Sequence, residues 1–260
     1  MHFIGRRVVA AALLAGVSAP VYAADMPDPI IEVPAPVYGG WYLRGHIGMS
    51  NQRLDRLEAD AFSGPTIMSH TWLDKGSFSS APIMGVGVGY KFNDYLRGDI
   101  GVEYRGAADF NALDRVERTP GGPGNVYTND YSGKKSEWLL LANAYADLGT
   151  FYGITPYVGA GLGASRNTIS NFRDVNELFN GGGYANTTSK WNLAWALHAG
   201  IGIQATERMT IDLGYSYVNL GDAQTGTIYN FDPSYAPVSG ITFKNIASHD
   251  LKLGVRYSLN

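Results

Sequence analysis

Two neighbouring runs of the sequence alternate with a period of two residues, and each divides into faces that no single solvent satisfies. The stretch PIMGVGVGYKFNDYLRGDIGVEYRG spans residues 82–106. Met84, Val86, Val88, Tyr90 and Phe92 share one face of its first run, opposite Ile83, Gly85, Gly87, Gly89 and Lys91. After Asn93-Asp94 the pattern resumes, with Leu96, Ile100, Val102 and Tyr104 opposite Arg97, Asp99, Glu103 and Arg105. Period two is the signature of a strand whose faces meet different surroundings. In hydrocarbon, each basic residue near the midplane would cost roughly 2 to 4 kcal/mol. Several such residues would rival the stability of a whole domain. The charged face therefore looks inward and the aliphatic face outward, and the glycines leave room for long side chains from opposite strands of a narrow barrel.

The rest of the chain repeats this division. Alternating segments at 41–50, 82–92, 95–106, 136–148, 156–166, 190–205, 210–220 and 247–258 predict eight strands. The connections at 93–94, 149–155 and 206–209 are short, whereas those at 51–81, 107–135, 167–189 and 221–246 are long. Strict alternation of long and short links is what an outer-membrane barrel shows, with short periplasmic turns and longer extracellular loops. An even strand count lets the last strand close on the first and leaves no unpaired edge. The expected fold is thus all-β, an eight-stranded antiparallel up-and-down transmembrane β-barrel over 41–260. Its interior polar network comprises Arg44, Arg97, Asp99, Glu103, Arg105, Glu137, Asp147, Asp212, Lys252 and Arg256, with His46, Asn143, Tyr145, Tyr157, His198, Gln204 and Asp250 also turned inward. Basic and acidic groups nearly balance, so they are expected to pair with one another. Aromatic residues gather at strand ends, as interfacial belts require. Trp41, Phe92 and Tyr257 mark the periplasmic rim, and Tyr104, Trp138, Trp191 and Tyr217 the outer rim.

The N-terminus supplies the compartment. Arg6-Arg7, an apolar run from Val8 to Ala19 and the small-residue pattern ending at Ala23 read as a secretory signal peptide over 1–23. Prolines 27, 29, 34 and 36 suit an extended periplasmic linker over 24–40. With 20 basic and 23 acidic residues, the chain has no electrostatic footprint for nucleic acid. It has no cysteine, which removes disulfides and thiolate chemistry.

The Pro-rich lead into GWYLRGHIG (40–48), LANAYADLG (141–149), TPYVGAGLG (155–163), IDLGYSY (211–217) and HDLKLGVRYS (249–258) resembles the small outer-membrane β-barrel proteins of alphaproteobacteria. These are the Brucella-type surface antigens and their hemin-binding relatives, with an OmpA-like or OmpX-like fold. The resemblance covers essentially all of the mature chain. It implies outer-membrane lipid, lipopolysaccharide and the barrel-assembly machinery as partners, and a host surface or hemin as a ligand of the loops. Barrels of this type usually end on an aromatic residue, whereas here Tyr257 is followed by Ser258, Leu259 and Asn260. An internal or weaker assembly signal is therefore expected.

Supports for enzymatic chemistry are missing. GAGLGAS at 159–165 lacks the GxGxxG spacing and following helix of a nucleotide loop, and no HExxH, P-loop lysine motif or GxSxG occurs. The histidines His46, His70, His198 and His249 form no compact pair with a nucleophile. His70 and Tyr229 are candidate heme ligands through the resemblance alone, without a ligation motif. The expected function is non-enzymatic and without cofactor, an envelope-supporting barrel with surface loops for host or ligand contact. The alternatives are a low-conductance porin and a hemin receptor. A secreted lipocalin-like binder would reverse the faces and fail to partition into detergent.

Overall fold

The structure, a computed structural model, describes residues 39–119, 125–176, 178 and 181–259. The expected signal peptide and all but the last two residues of the expected linker lie outside them. Among the described residues the chain forms twelve strands: β1 (Gly40–Arg53), β2 (Arg56–Ala59), β3 (Ile67–Phe78), β4 (Ala81–Lys91), β5 (Leu96–Arg118), β6 (Val126–Asp147), β7 (Ile154–Asn176), β8 (Gly181–Ala185), β9 (Thr188–Gln204), β10 (Met209–Gln224), β11 (Ile228–Asn230) and β12 (Ile241–Ser258). Pairing runs β7-β6-β5-β4-β1-β12-β10-β9 and returns from β9 to β7, so these eight strands close a ring in which every pair is antiparallel. Closure satisfies the main-chain donors and acceptors without an exposed edge. β2 and β3 extend the wall by pairing with β12 and β5, and β8 with β11 adds a flap on β7.

Three tight turns join strands at the end where the chain enters and leaves the ring. The Asn93 side chain accepts from the backbone N–H groups of Tyr95 and Leu96, both at 2.8 Å, which closes the β4–β5 hairpin. Thr206 Oγ1 accepts from the N–H groups of Arg208 and Met209 in the β9–β10 turn. Such side-chain mimicry of a turn is the reason Asn and Thr stand there.

At the opposite end the segments expected as long loops are largely strand. β5 runs to Arg118 and β6 starts at Val126, so most of 107–135 is a ladder, and β7, β10 and β12 are extended in the same way. Two physical changes hid these extensions. First, the apolar face reverses: in the lower wall Val86, Ile100 and Leu193 are exposed, whereas farther up Phe110, Phe172 and Phe243 are buried inside. Second, bulges break the parity. In β5, inward positions are odd through Arg105 and even from Ala108, with the register shift lying between them. Similar slips occur near Asn171 in β7 and between Gly221 in β10 and Asn245 in β12, all three at positive φ. A bulge inserts one unpaired residue and swaps the faces beyond it.

The barrel interior therefore has two zones. The upper one is an apolar core of Leu54, Phe78, Phe110, Leu139, Phe172, Leu220, Phe243 and their neighbours. Phe78, Phe110 and Phe243 form a ring cluster with centroids 4.8–5.7 Å apart. Each such side chain contributes roughly 1.5–3 kcal/mol by leaving water. The lower zone is polar.

Candidate functional site

Below the apolar core, side chains cross the bore in two layers. Nearest the turns, Arg97 donates from Nε to Asp147 at 3.1 Å, and its guanidinium lies over the rings of Tyr145 and Tyr157, 4.1 and 4.8 Å from their centroids. Asp99 receives Tyr42 Oη at 3.1 Å and Asn143 Nδ2 at 2.8 Å, with Arg44 Nε 3.0 Å away. Arg256 forks onto Asp212 at 2.7 and 2.9 Å. Planar two-point pairing of this kind holds both partners in one orientation.

The second layer centres on Arg105, which is wholly buried. It donates to both oxygens of Asp250 at 3.0 and 2.7 Å, to Glu103 at 3.1 Å and to Ser50 at 3.3 Å. Glu103 also accepts from Lys252 at 2.6 Å and faces His46 at 3.2 Å. Glu137 accepts from Gln52 at 2.8 Å and pairs with Lys135. Charges this deep are tolerable only when paired and hydrogen-bonded, because removing one ion from water costs several kcal/mol.

All ten residues expected in the interior network lie within these two layers. Sequence reasoning missed Lys135 and Gln52, which fall in segments taken for loops. The available signal for Lys135 was its spacing of two from Glu137, which puts both on one face. With Lys135 included, the named interior charges are six basic (44, 97, 105, 135, 252, 256) and six acidic (99, 103, 137, 147, 212, 250).

The small residues of β4 have a steric reason. A Cβ on Gly89 would lie 2.3 Å from the Tyr42 ring, and one on Gly85 would lie 2.4 Å from His46. Between the layers the bore retains a cavity of about 50 Å³, enough for a very few waters. His198 lines it, bonded to Ser216 at 2.8 Å and Asn143 at 3.1 Å. A histidine and a serine hydroxyl thus do pair, contrary to the expectation from sequence, but with its two ring nitrogens taken by Ser216 and Asn143 this histidine has none left for an orienting carboxylate and serves the network.

Outside, the lower wall is an unbroken aliphatic belt: Leu43, Ile47, Val86, Val88, Ile100, Val102, Leu140, Val158, Leu162, Leu193, Leu197, Leu213, Leu251, Leu253 and Val255 are all exposed. A contiguous apolar surface of this extent does not face water. Its edges carry rings. Trp41, Tyr90 and Phe92 meet in T-shaped contacts of 5.3 Å near the turns, with Tyr257 also exposed there. Tyr104 packs on Trp138 at 5.0 Å at the far edge, where Trp191 is exposed and Tyr217 packs on Trp195 at 5.5 Å. Tyr90, Trp195 and Tyr215 stand in the same surface positions as the rings singled out from sequence.

The far end holds a third site, a cavity of about 380 Å³ lined by Phe62, Arg118, Tyr127, Asn129, Tyr131 and Asp174 among others. Beside it, buried Asp114 accepts from Asn129 N–H and Nδ2, from Tyr131 Oη at 2.9 Å and pairs with His70 at 2.9 Å. Asp174 has no such set, and its Oδ1 is buried without a hydrogen-bond partner. Burial, reinforced by the charge of Asp114, pushes the Asp174 carboxyl up to about 7. The heme candidates are engaged elsewhere. His70 stacks on Phe62 at 4.1 Å while holding Asp114, and Tyr229 packs against Tyr184 on the β8–β11 flap. No group of three or more His, Cys, Asp or Glu residues suited to a metal ion occurs among the described residues.

Comparison with known proteins agrees with this architecture. The family described as "Outer membrane protein beta-barrel domain" matches residues 9–258. An uncharacterized protein of Brucella abortus is 33% identical, over 86% of this chain and 83% of its own. "Outer membrane protein PagN" of Salmonella typhimurium is 25% identical, over 84% and 90%. "Putative adhesin RP828" of Rickettsia prowazekii is 25% identical, over 84% and 87%.

Proposed function

Because the chain belongs to the outer membrane protein β-barrel domain family and resides in a Gram-negative outer membrane, we propose that it works there as a closed, non-enzymatic barrel that supports the envelope and presents its extracellular end for contact with host surfaces or ligands. The observation that carries this reading is the filled bore: two layers of paired charges beneath a core of packed aromatic and aliphatic side chains. A conducting porin needs a continuous water path, and barrels of about eight strands are normally plugged by side chains. The aliphatic belt anchors the wall in lipid, and the rings at its two edges are its interfacial girdles.

The extended upper strands support the contact role. They raise a rigid rim beyond the belt, and function on a rigid scaffold concentrates at such exposed ends. The name of the Rickettsia relative points the same way.

Two readouts, each in its own strain pair, test the proposal. Expression on the surface of a non-adherent bacterium is expected to raise attachment to epithelial monolayers severalfold, and loss of the gene from its own host is expected to sensitise cells to dodecyl sulfate. Unchanged attachment together with unchanged detergent resistance would overturn it.

A further inference from the structure

The extracellular cavity has features the barrel does not need for closure. Asp174 lines it on β7, with one carboxylate oxygen buried and unpartnered. A native fold rarely leaves such a group unless something else completes it. The neighbouring acid does not do so, because Asp114 is saturated by His70, Asn129 and Tyr131. The rest of the wall combines the rings of Phe62, Tyr127 and Tyr131 and the amides of Asn129 and Asn230 with the aliphatic Ile228, Val238 and Ile241. Ring faces favour a cation, and amide oxygens accept from ammonium protons. Arg118 also lines the cavity, with its Nε on Tyr127 Oη at 2.8 Å and its guanidinium 5.5 Å from that ring. Its charge disfavours a second positive group on the same ligand.

We propose that this cavity binds a compact organic monocation with a primary ammonium head, for which Asp174 is the counter-ion and Phe62, Tyr127 and Tyr131 form the aromatic wall. A free alkylamine and the side chain of a lysine offer the same head group. The location outside the membrane rests on the function proposed above, but binding in detergent solution does not, so the two can fail separately.

The ligand must meet an ionised Asp174, whereas the empty site holds its proton up to about pH 7. Binding therefore releases a proton, and apparent affinity rises with pH through that range. The charged and titratable groups around Asp174 are Asp114, His70, Tyr131, Tyr127 and Arg118.

The test is calorimetric titration of the full protein in mild detergent with n-butylammonium and, separately, with a neutral-capped lysine, at pH 5 and pH 8. Butylammonium is expected to bind at least tenfold more tightly at pH 8, with proton release, and more tightly than the dication of putrescine. Binding of the capped lysine as well would assign the site to protein lysines; binding of butylammonium alone would assign it to free amines. Asp174→Asn is expected to abolish binding while raising the thermal midpoint of the empty protein, which separates loss of the site from loss of the fold. A folded wild-type protein that binds neither probe, or a D174N variant that binds as well as wild type, would overturn the proposal.

Discussion

Arg105 shows how much of the barrel depends on single side chains. It reaches Asp250, Glu103 and Ser50 from a position with no exposed surface. Removing one partner of a buried pair leaves uncompensated charge and typically costs about 3–5 kcal/mol. Arg105→Met is accordingly expected to lower the urea midpoint of the detergent-refolded protein by that equivalent, with Arg105→Lys falling between because it keeps the charge and loses the fork. Asp174 gives the opposite sign. Its carboxyl is raised from 3.8 to about 7, so the folded state keeps a proton that the unfolded state releases. The resulting contribution is full below the unfolded-state value, is lost as pH rises from about 4 to 7, and levels above that. Thermal midpoints at pH 5 and 8 are therefore expected to fall more for wild type than for Asp174→Asn, and equal slopes would contradict the assignment. The interior charges were legible in the sequence because a charge opposite an aliphatic stripe has only one place to go. Asp114 and Asp174 were not, since single carboxylates among polar residues carry no periodic signal.

The strands divide at the bulges. Between the rings, period two reads directly, and its outward positions are the exposed ones. Val86→Arg on that face is expected to cost roughly 2–4 kcal/mol in folding into lipid vesicles, while Asn51→Arg, exposed above the belt, is expected to be nearly neutral. Equal costs would place the lipid boundary elsewhere. Beyond Arg105 apolar residues stay on even positions, at Ala108, Phe110, Ala112 and Val116, but the register slip before Ala108 turns those positions inward at the height where the solvent outside changes from hydrocarbon to water, so the pattern no longer marks the lipid face. Apolar residues there turn inward, as in a soluble protein. Inserting one residue after Ala107 is expected to shift parity beyond the bulge and so drive Phe110 and Asp114 to the wrong faces, which limited proteolysis would register as lost protection of β5 and β6. The girdle was legible in part. Tyr90 was placed on the outward face without being assigned to it, since rings at strand ends and rings along strands differ only once the height of each residue is known.

For the molecule as a whole, the inversion of polarity explains how one short barrel can be stable in two solvents. Its membrane zone places charge inside and aliphatic side chains outside, and its external zone does the reverse, so the two together stop the bore. The eight-strand closure followed from the count and alternation of segments, but the stopper came from segments that read as loops. The central claim is that this stopper is continuous. Planar-bilayer conductance of the full protein, inserted from mild detergent and compared with a heat-denatured control, tests it most directly: the closed barrel predicts no discrete current steps despite confirmed insertion, and reproducible steps of uniform size would contradict it.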